Sequence, residues 1–143
     1  MALNPPLNTN GTPFRLESEY ILVERRGMEA EVKVKGMKKL GGKGVVFLTT
    51  ARMIFVNKDF KKAEFKAIDM PVALIKKPDF KQPVFGSNYL KFDIDPLYNL
   101  LPGEAEVKLW FTQGGCDKFL RIFEYVSKEV YQQKKSGRMN NNL

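Results

Sequence analysis

The sequence predicts a mainly β domain: about six or seven antiparallel strands followed by one long C-terminal α-helix. Three observations lead there. Two apolar runs, Val45–Leu48 and Met53–Val56, are rich in β-branched and aromatic residues and flank Thr49-Thr50-Ala51-Arg52, which is a hairpin signal. Glu29–Lys35 and Ala105–Thr112 alternate apolar and polar residues, the period of half-buried strands. From Asp117 the period changes, because Phe119, Phe123, Val126 and Val130 recur at helical spacing and form one apolar stripe. A chain of 143 residues, 43% of them hydrophobic, fits one domain. At that size a domain buries roughly 70% of its unfolded surface, enough for a core without staples.

In chain order, residues 1–13 carry Pro5, Pro6 and Pro13 among several asparagines and read as an extended leader without a core. Tyr20–Val23 is a short apolar run that ends at Arg25-Arg26-Gly27. In Glu29–Lys35, Ala30, Val32 and Val34 point one way and Glu29, Glu31, Lys33 and Lys35 the other. Lys35–Gly44 reads as a Gly- and Lys-rich loop. The central hairpin is apolar on both faces of both arms, which suits strands in the middle of a sheet. Lys58–Lys62 is a polar turn, and Glu64–Ile75 reads as a strand interrupted at Pro71. A proline cannot donate to the ladder, so Pro71 implies an edge or a bulge. Pro78 and Pro83 punctuate the next stretch, and Tyr89–Ile94 is another strand. After the loop Asp95–Gly103, Ala105–Thr112 places Val107, Leu109 and Phe111 on one face. Asp117 is the expected N-cap of the helix. Lys134 and Lys135 fall where the C-terminal end of its dipole favours cations. The expected division is leader 1–13, domain 14–135 and polar tail 136–143.

Composition argues against catalysis. There is no histidine, the commonest general base and metal ligand. Cys116 is the single cysteine, so neither a disulfide framework nor a thiolate-rich metal site is expected. Gly41-Gly42-Lys43-Gly44 joins two strands rather than opening a helix, so it is not a phosphate loop. The expectation is a protein that is not an enzyme and takes no cofactor and no metal. No stretch approaches the ~20 apolar residues that cross a bilayer, and the N-terminal segment lacks the pattern of a secretory signal. A cytoplasmic or peripheral-membrane protein is the simplest expectation, with the nucleus or an organellar assembly left open.

The net charge of +8 favours acidic partners. Lys33, Lys35, Lys38, Lys39 and Lys43 fall within eleven residues that contain no acid. Anionic lipid rewards such clusters by about 1 kcal/mol per basic residue, and Met37 and Leu40 are placed to dip into the interface. Two other readings remain: a loop kept soluble by its charge, and a structural subunit of a larger assembly that docks its basic surface on acidic protein. Lys58, Lys61, Lys62 and Lys66 form a weaker group diluted by Asp59 and Glu64. Nucleic acid ranks behind both partners. A single-strand binder presents aromatics for stacking, whereas Phe47, Phe55, Phe111, Phe119 and Phe123 lie at core-phase positions.

Three stretches carry a resemblance. Gly44-Val-Val-Phe-Leu-Thr-Thr-Ala-Arg52-Met-Ile-Phe-Val resembles the signature of GRAM domains, a branch of the pleckstrin-homology-like fold. Lys81-Gln-Pro-Val-Phe-Gly-Ser-Asn-Tyr-Leu-Lys91 resembles a hallmark segment of WW-domain-binding proteins. Leu109-Trp-Phe-Thr-Gln-Gly-Gly115 and the opening Met1-Ala-Leu-Asn4 are similar to the same family. The resemblance implies a PH-like bent seven-stranded antiparallel β-sandwich or barrel capped by the C-terminal helix. It also implies roles in lipid binding (phosphoinositide among the ligands), protein binding, adaptor function and, in some members, transcriptional coactivation. Relatives recruit WW domains through PPxY motifs in a proline-rich C-terminal region. Here Pro5-Pro6 continues Leu7-Asn8 without the tyrosine, so WW recruitment and coactivation do not transfer. For Gln82–Tyr89 two readings stand: a bulged strand and turn that the fold requires, and a docking ridge that offers Gln82, Val84, Phe85 and Tyr89 to a protein partner.

Overall fold

The computed structural model describes residues 1–141. Eight strands are formed: β1 (Ala2–Leu3), β2 (Ile21–Val34), β3 (Leu40–Thr49), β4 (Arg52–Asn57), β5 (Ala67–Pro71), β6 (Ile75–Lys81), β7 (Tyr89–Ile94) and β8 (Ala105–Phe111). One helix, α1 (Asp117–Asn141), follows. All strands join one antiparallel sheet in the order β1-β5-β4-β3-β2-β8-β7-β6. The sheet curls into a half-barrel, which brings Met53, Phe55 and Ile68 of one end into a common core with Leu90, Phe92, Val107 and Leu109 of the other. Phe119 and Phe123 of α1 close that core, and Val126 is buried beside them. The mainly β fold with one C-terminal helix is the architecture the sequence predicts, and it is compatible with the pleckstrin-homology-like resemblance.

The hairpin forms as expected, with Val45↔Val56, Phe47↔Ile54 and Leu48↔Met53 in register around Thr50-Ala51. Both strands are central, and their two apolar faces have separate partners. Val46, Leu48, Met53 and Phe55 enter the main core. Phe47, Ile54, Val56 and Ala67 form a second cluster on the opposite face, against which Leu7, Val45 and Phe60 pack. The leader is therefore not coreless: Leu7 helps cover the back of the hairpin, and Met1 is buried in the main core. Its prolines and asparagines gave no sign of this because the covering rests on a few scattered apolar side chains, Met1, Leu3 and Leu7.

Several boundaries differ from the sequence reading, each for a backbone reason. Tyr20–Val23 and Glu29–Lys35 fuse into the 14-residue β2, whose register shifts between Arg25 and Met28. Gly27 lies inside that shift with φ +68, so the glycine that reads as a stop supplies a bend. Leu40–Gly44 is strand rather than loop, because Val32↔Leu40 through Met28↔Gly44 pair with β2. Pro71 ends β5 and is followed by a 3₁₀ turn at Val72–Leu74. Pro78 lies within the edge strand β6, at a register shift between Lys76 and Asp79 where a missing N–H is tolerated. The first helical bond runs from Leu120 N–H to the Cys116 carbonyl. That makes Cys116 the capping position and Asp117 the first helical residue, where its charge still favours the dipole. The helix continues to Asn141, so Lys134 and Lys135 lie inside it rather than at its end.

Candidate interaction surfaces

The connection from β6 to β7, Gln82–Asn88, projects from paired strands. Lys81↔Tyr89 closes its neck, and Phe111 N–H donates to the Asn88 carbonyl. Val84 is 92% exposed and Phe85 89%, the two most exposed large apolar side chains among the described residues. Gly86 follows with φ +93 and open space on its Cβ side. Gln82 is exposed at the start of the loop. Tyr89 is not part of this tip. It lies half-buried on β7, its ring 5.5 Å from that of Trp110, with Lys108 Nζ 5.9 Å from its centroid. Of the four ridge residues, three lie on the projecting loop, whereas Tyr89 stabilises the outer face of the sheet.

All five lysines of the 33–43 cluster are exposed, spread over a turn and the two strands that flank it. Lys35, Lys38 and Lys39 surround the short β2–β3 turn, with Lys33 just behind on β2. Lys43 pairs with Glu29, four residues along β2 from Lys33, or about 13 Å at strand rise. Acids interleave on this face: Lys33 is opposite Glu106, and Lys39 Nζ is 3.5 Å from Glu31. The charge is undiluted only at the turn itself. Beside that turn runs the β7–β8 loop, tied to it by Lys35 N–H to the Glu104 carbonyl. The loop exposes Tyr98 (87%) and Leu100, and its stretch Pro96–Gly103 carries no charge. Tyr98 and Asn99 both have positive φ, so a constrained backbone presents this tip. In the β2–β8–β7 register, Lys35 follows the Val34–Ala105–Ile94 rung and Gln82–Asn88 precedes Tyr89, so the two tips lie at opposite ends of those strands.

Sequence reasoning missed a buried ionic cluster at the mouth of the hairpin. Arg52 Nε and Nη2 donate to Glu19 Oε2 and Oε1 at 2.7 and 3.0 Å, and Nη1 donates to Asp69 Oδ2 at 3.1 Å. Nη2 also donates to the Phe14 carbonyl. The Thr49 hydroxyl donates to Glu19 Oε2 and accepts from Arg52 N–H, so the turn and the ion pair are one network. Burial pushes the Glu19 carboxyl up, but the Arg52 guanidinium, the Leu16 N–H and the Thr49 hydroxyl outweigh it and hold it below the ordinary value. Asp69 goes the other way: burial pushes it up, and a single Arg52 contact does not compensate. Its Oδ1 is buried without a hydrogen-bond partner. The available signal was Arg52 itself, the one charged residue between Gly44 and Val56. This cluster can fasten Phe14–Glu19 to the sheet; it holds no nucleophile or base aimed at solvent.

Comparison with known proteins places these surfaces in context. Human WW domain-binding protein 2 is 41% identical over 147 aligned residues, covering 96% of this chain and 54% of that protein. The chain resembles WW domain-binding proteins. A postacrosomal sheath WW domain-binding protein of Macaca fascicularis is 32% identical over 88 residues, 61% of this chain and 34% of that protein. A stress-induced protein of Schizosaccharomyces pombe is 40% identical over 82 residues, 57% of this chain and 47% of that protein. This chain spans about half the length of the first two curated relatives in that range of identity. No family model matches it, so the GRAM part of the resemblance rests on the hairpin residues and the compatible architecture.

Proposed function

We propose that this chain is a non-enzymatic, protein-binding adaptor domain that engages its partner through the Gln82–Asn88 loop. The observation that carries the reading is the adjacent pair Val84 and Phe85, almost wholly exposed on a tip whose neck is fixed by strand pairing. Exposed apolar tips cost solubility unless a partner covers them, and large apolar anchors dominate binding energy. The names of the relatives, all WW domain-binding proteins or a stress protein, fit an interaction role. Because neither side chain touches the core, Val84→Ser with Phe85→Ser should change folding stability by no more than about 0.5 kcal/mol. The same double variant should lose a stoichiometric partner that co-purifies with the tagged full chain from its native cells. Equal recovery of that partner by both proteins would refute the loop as the docking element.

A second reading, contact with anionic, phosphoinositide-bearing membrane, is favoured by the other end of the sheet. There the acid-free turn with Lys35, Lys38 and Lys39 lies beside Met37, Tyr98 and Leu100, all exposed. No helix among the described residues is long and apolar enough to cross a membrane, so such contact would be made by these loops. Reversing Lys35, Lys38 and Lys39 to Glu should cost at least about 3 kcal/mol of vesicle affinity, roughly a hundredfold. Lys43→Glu alone should matter less, because Lys43 is set back on β3 opposite Glu29. Sedimentation with phosphoinositide-containing vesicles decides it: unchanged pelleting of the triple reversal would remove the membrane reading.

A further inference from the structure

A slot of about 210 Å³ lies between the edge strand β6 and α1, on neither of the surfaces discussed above. One wall is Val72, Ile75 and Pro78; the other is Phe123, Val130 and Tyr131, with Ser127 also lining it and Lys134 at the helical side. The slot exists because the helix's apolar stripe outlasts the sheet beneath it. Phe119, Phe123 and Val126 are buried, but Val130 is only half-buried and Tyr131 is largely exposed. An engineered apolar cavity of about 150 Å³ accepts benzene, so this one has room for a leucine or phenylalanine side chain.

The surrounding chemistry selects the occupant. The charged residue lining the slot is Lys134, and Lys77 stands next to Pro78 on the strand side; neither forms an ion pair among the described residues. Neighbouring Lys76 is already engaged by Asp95 and Glu104, and Lys81 by Asp79. The edge itself is spoiled for strand addition. Lys77 has φ +52, Pro78 lacks an N–H, and the register shifts across both. An incoming segment would therefore be held by a side chain and by charge rather than by a backbone ladder. We infer that the β6–α1 slot docks an acidic protein segment that inserts one large apolar side chain between Ile75 and Val130 and sets its carboxylates on Lys77 and Lys134.

The probe is a fluorescein-labelled nine-residue peptide with a central leucine flanked by aspartates and glutamates, followed by anisotropy against the full chain. The leucine peptide should bind at least tenfold tighter than its central-alanine version. Ser127→Phe, which fills the slot from its rim, should weaken binding at least tenfold, and Lys77→Glu with Lys134→Glu should do the same. Val84→Ser with Phe85→Ser should leave it unchanged, which separates this site from the 82–88 loop. Should Ser127→Phe perturb the fold, backbone amide shifts of the unmodified chain on titration serve instead, with the largest expected at Val72, Ile75 and Val130. Equal affinity for the leucine and alanine peptides, no binding of either, or shifts confined to other elements would overturn the inference.

Discussion

Arg52→Ala is expected to destabilise the domain by about 3–5 kcal/mol, the cost of removing one partner from a buried ion pair. The loss comes less from the missing contacts than from what is left behind. Glu19, bidentate on Arg52 in the native protein, becomes a buried carboxylate with only the Thr49 hydroxyl and Leu16 N–H as donors. Asp69 loses the one cation that hydrogen-bonds it while its Oδ1 is already without a partner. Arg52→Lys should recover only part of the loss, since a point charge cannot reproduce the forked contact. Chemical denaturation followed by far-UV circular dichroism measures all three proteins. A variant within 1 kcal/mol of wild type would show that the cluster is ornamental to folding.

The same substitution has a pH signature. In wild type the Glu19 carboxyl is held below its ordinary value of 4.5. Its contribution is therefore fully present above that pH and lost as the pH falls through the folded value. Asp69, pushed up from 3.8, contributes in the opposite sense, its part being lost as pH rises. Without Arg52 the Glu19 carboxyl has no cation, so burial raises its folded value above the unfolded one and protonation then favours the folded chain. The stability gap between wild type and Arg52→Ala should narrow as the pH is lowered from 7 towards 4.5, and a gap that widens would contradict the assignment.

Arg52 also marks where the sequence stops being legible. Patterns that depend on neighbours along the chain largely survived folding: Val46–Leu48 and Met53–Val56 of the hairpin, the alternating apolar residues of β8, and Phe119, Phe123 and Val126 of the stripe are buried, while Val45 and Val130 at the ends are only partly so. What failed depended on contacts between distant segments. Glu19 meets Arg52 across 33 positions, and Leu7 meets the back of a hairpin some forty residues later. Neither encounter leaves a local period. The lysine cluster was legible as a group but not in its layout: Lys35, Lys38 and Lys39 surround a turn, whereas Lys33 and Lys43 lie on β2 and β3, with Lys43 registered against Glu29. Val84 and Phe85 were readable as candidates, but their near-complete exposure was not, since an apolar pair in a loop packs inward as readily as outward.

Gly44→Ala is the second large effect, and it tests the centre of the sheet rather than its mouth. Gly44 pairs with Met28 on one side and Asn57 on the other, beside the register shift of β2. A Cβ built there would lie 1.9 Å from the Val56 carbonyl oxygen and 2.9 Å from its carbon. Both atoms are backbone, so no rotamer change relieves the clash. β4 cannot retreat without breaking its pairing to β5, where Val56 is registered with Ala67. Nor can it shift without exposing the cluster that Val56 forms with Phe47 and Ile54. The cost should reach or pass the upper end of the overpacking range, about 3 kcal/mol. Gly103→Ala is the control: its Cβ would meet the Lys35 side chain at 3.3 Å, and an exposed lysine can swing aside. Urea midpoints should separate the two variants clearly. If Gly44→Ala melted with the control, the close approach of β3 to the Val56 carbonyl would not be a feature of the folded protein, and the hairpin's register, on which the placement of both loop ends rests, would have to be redrawn.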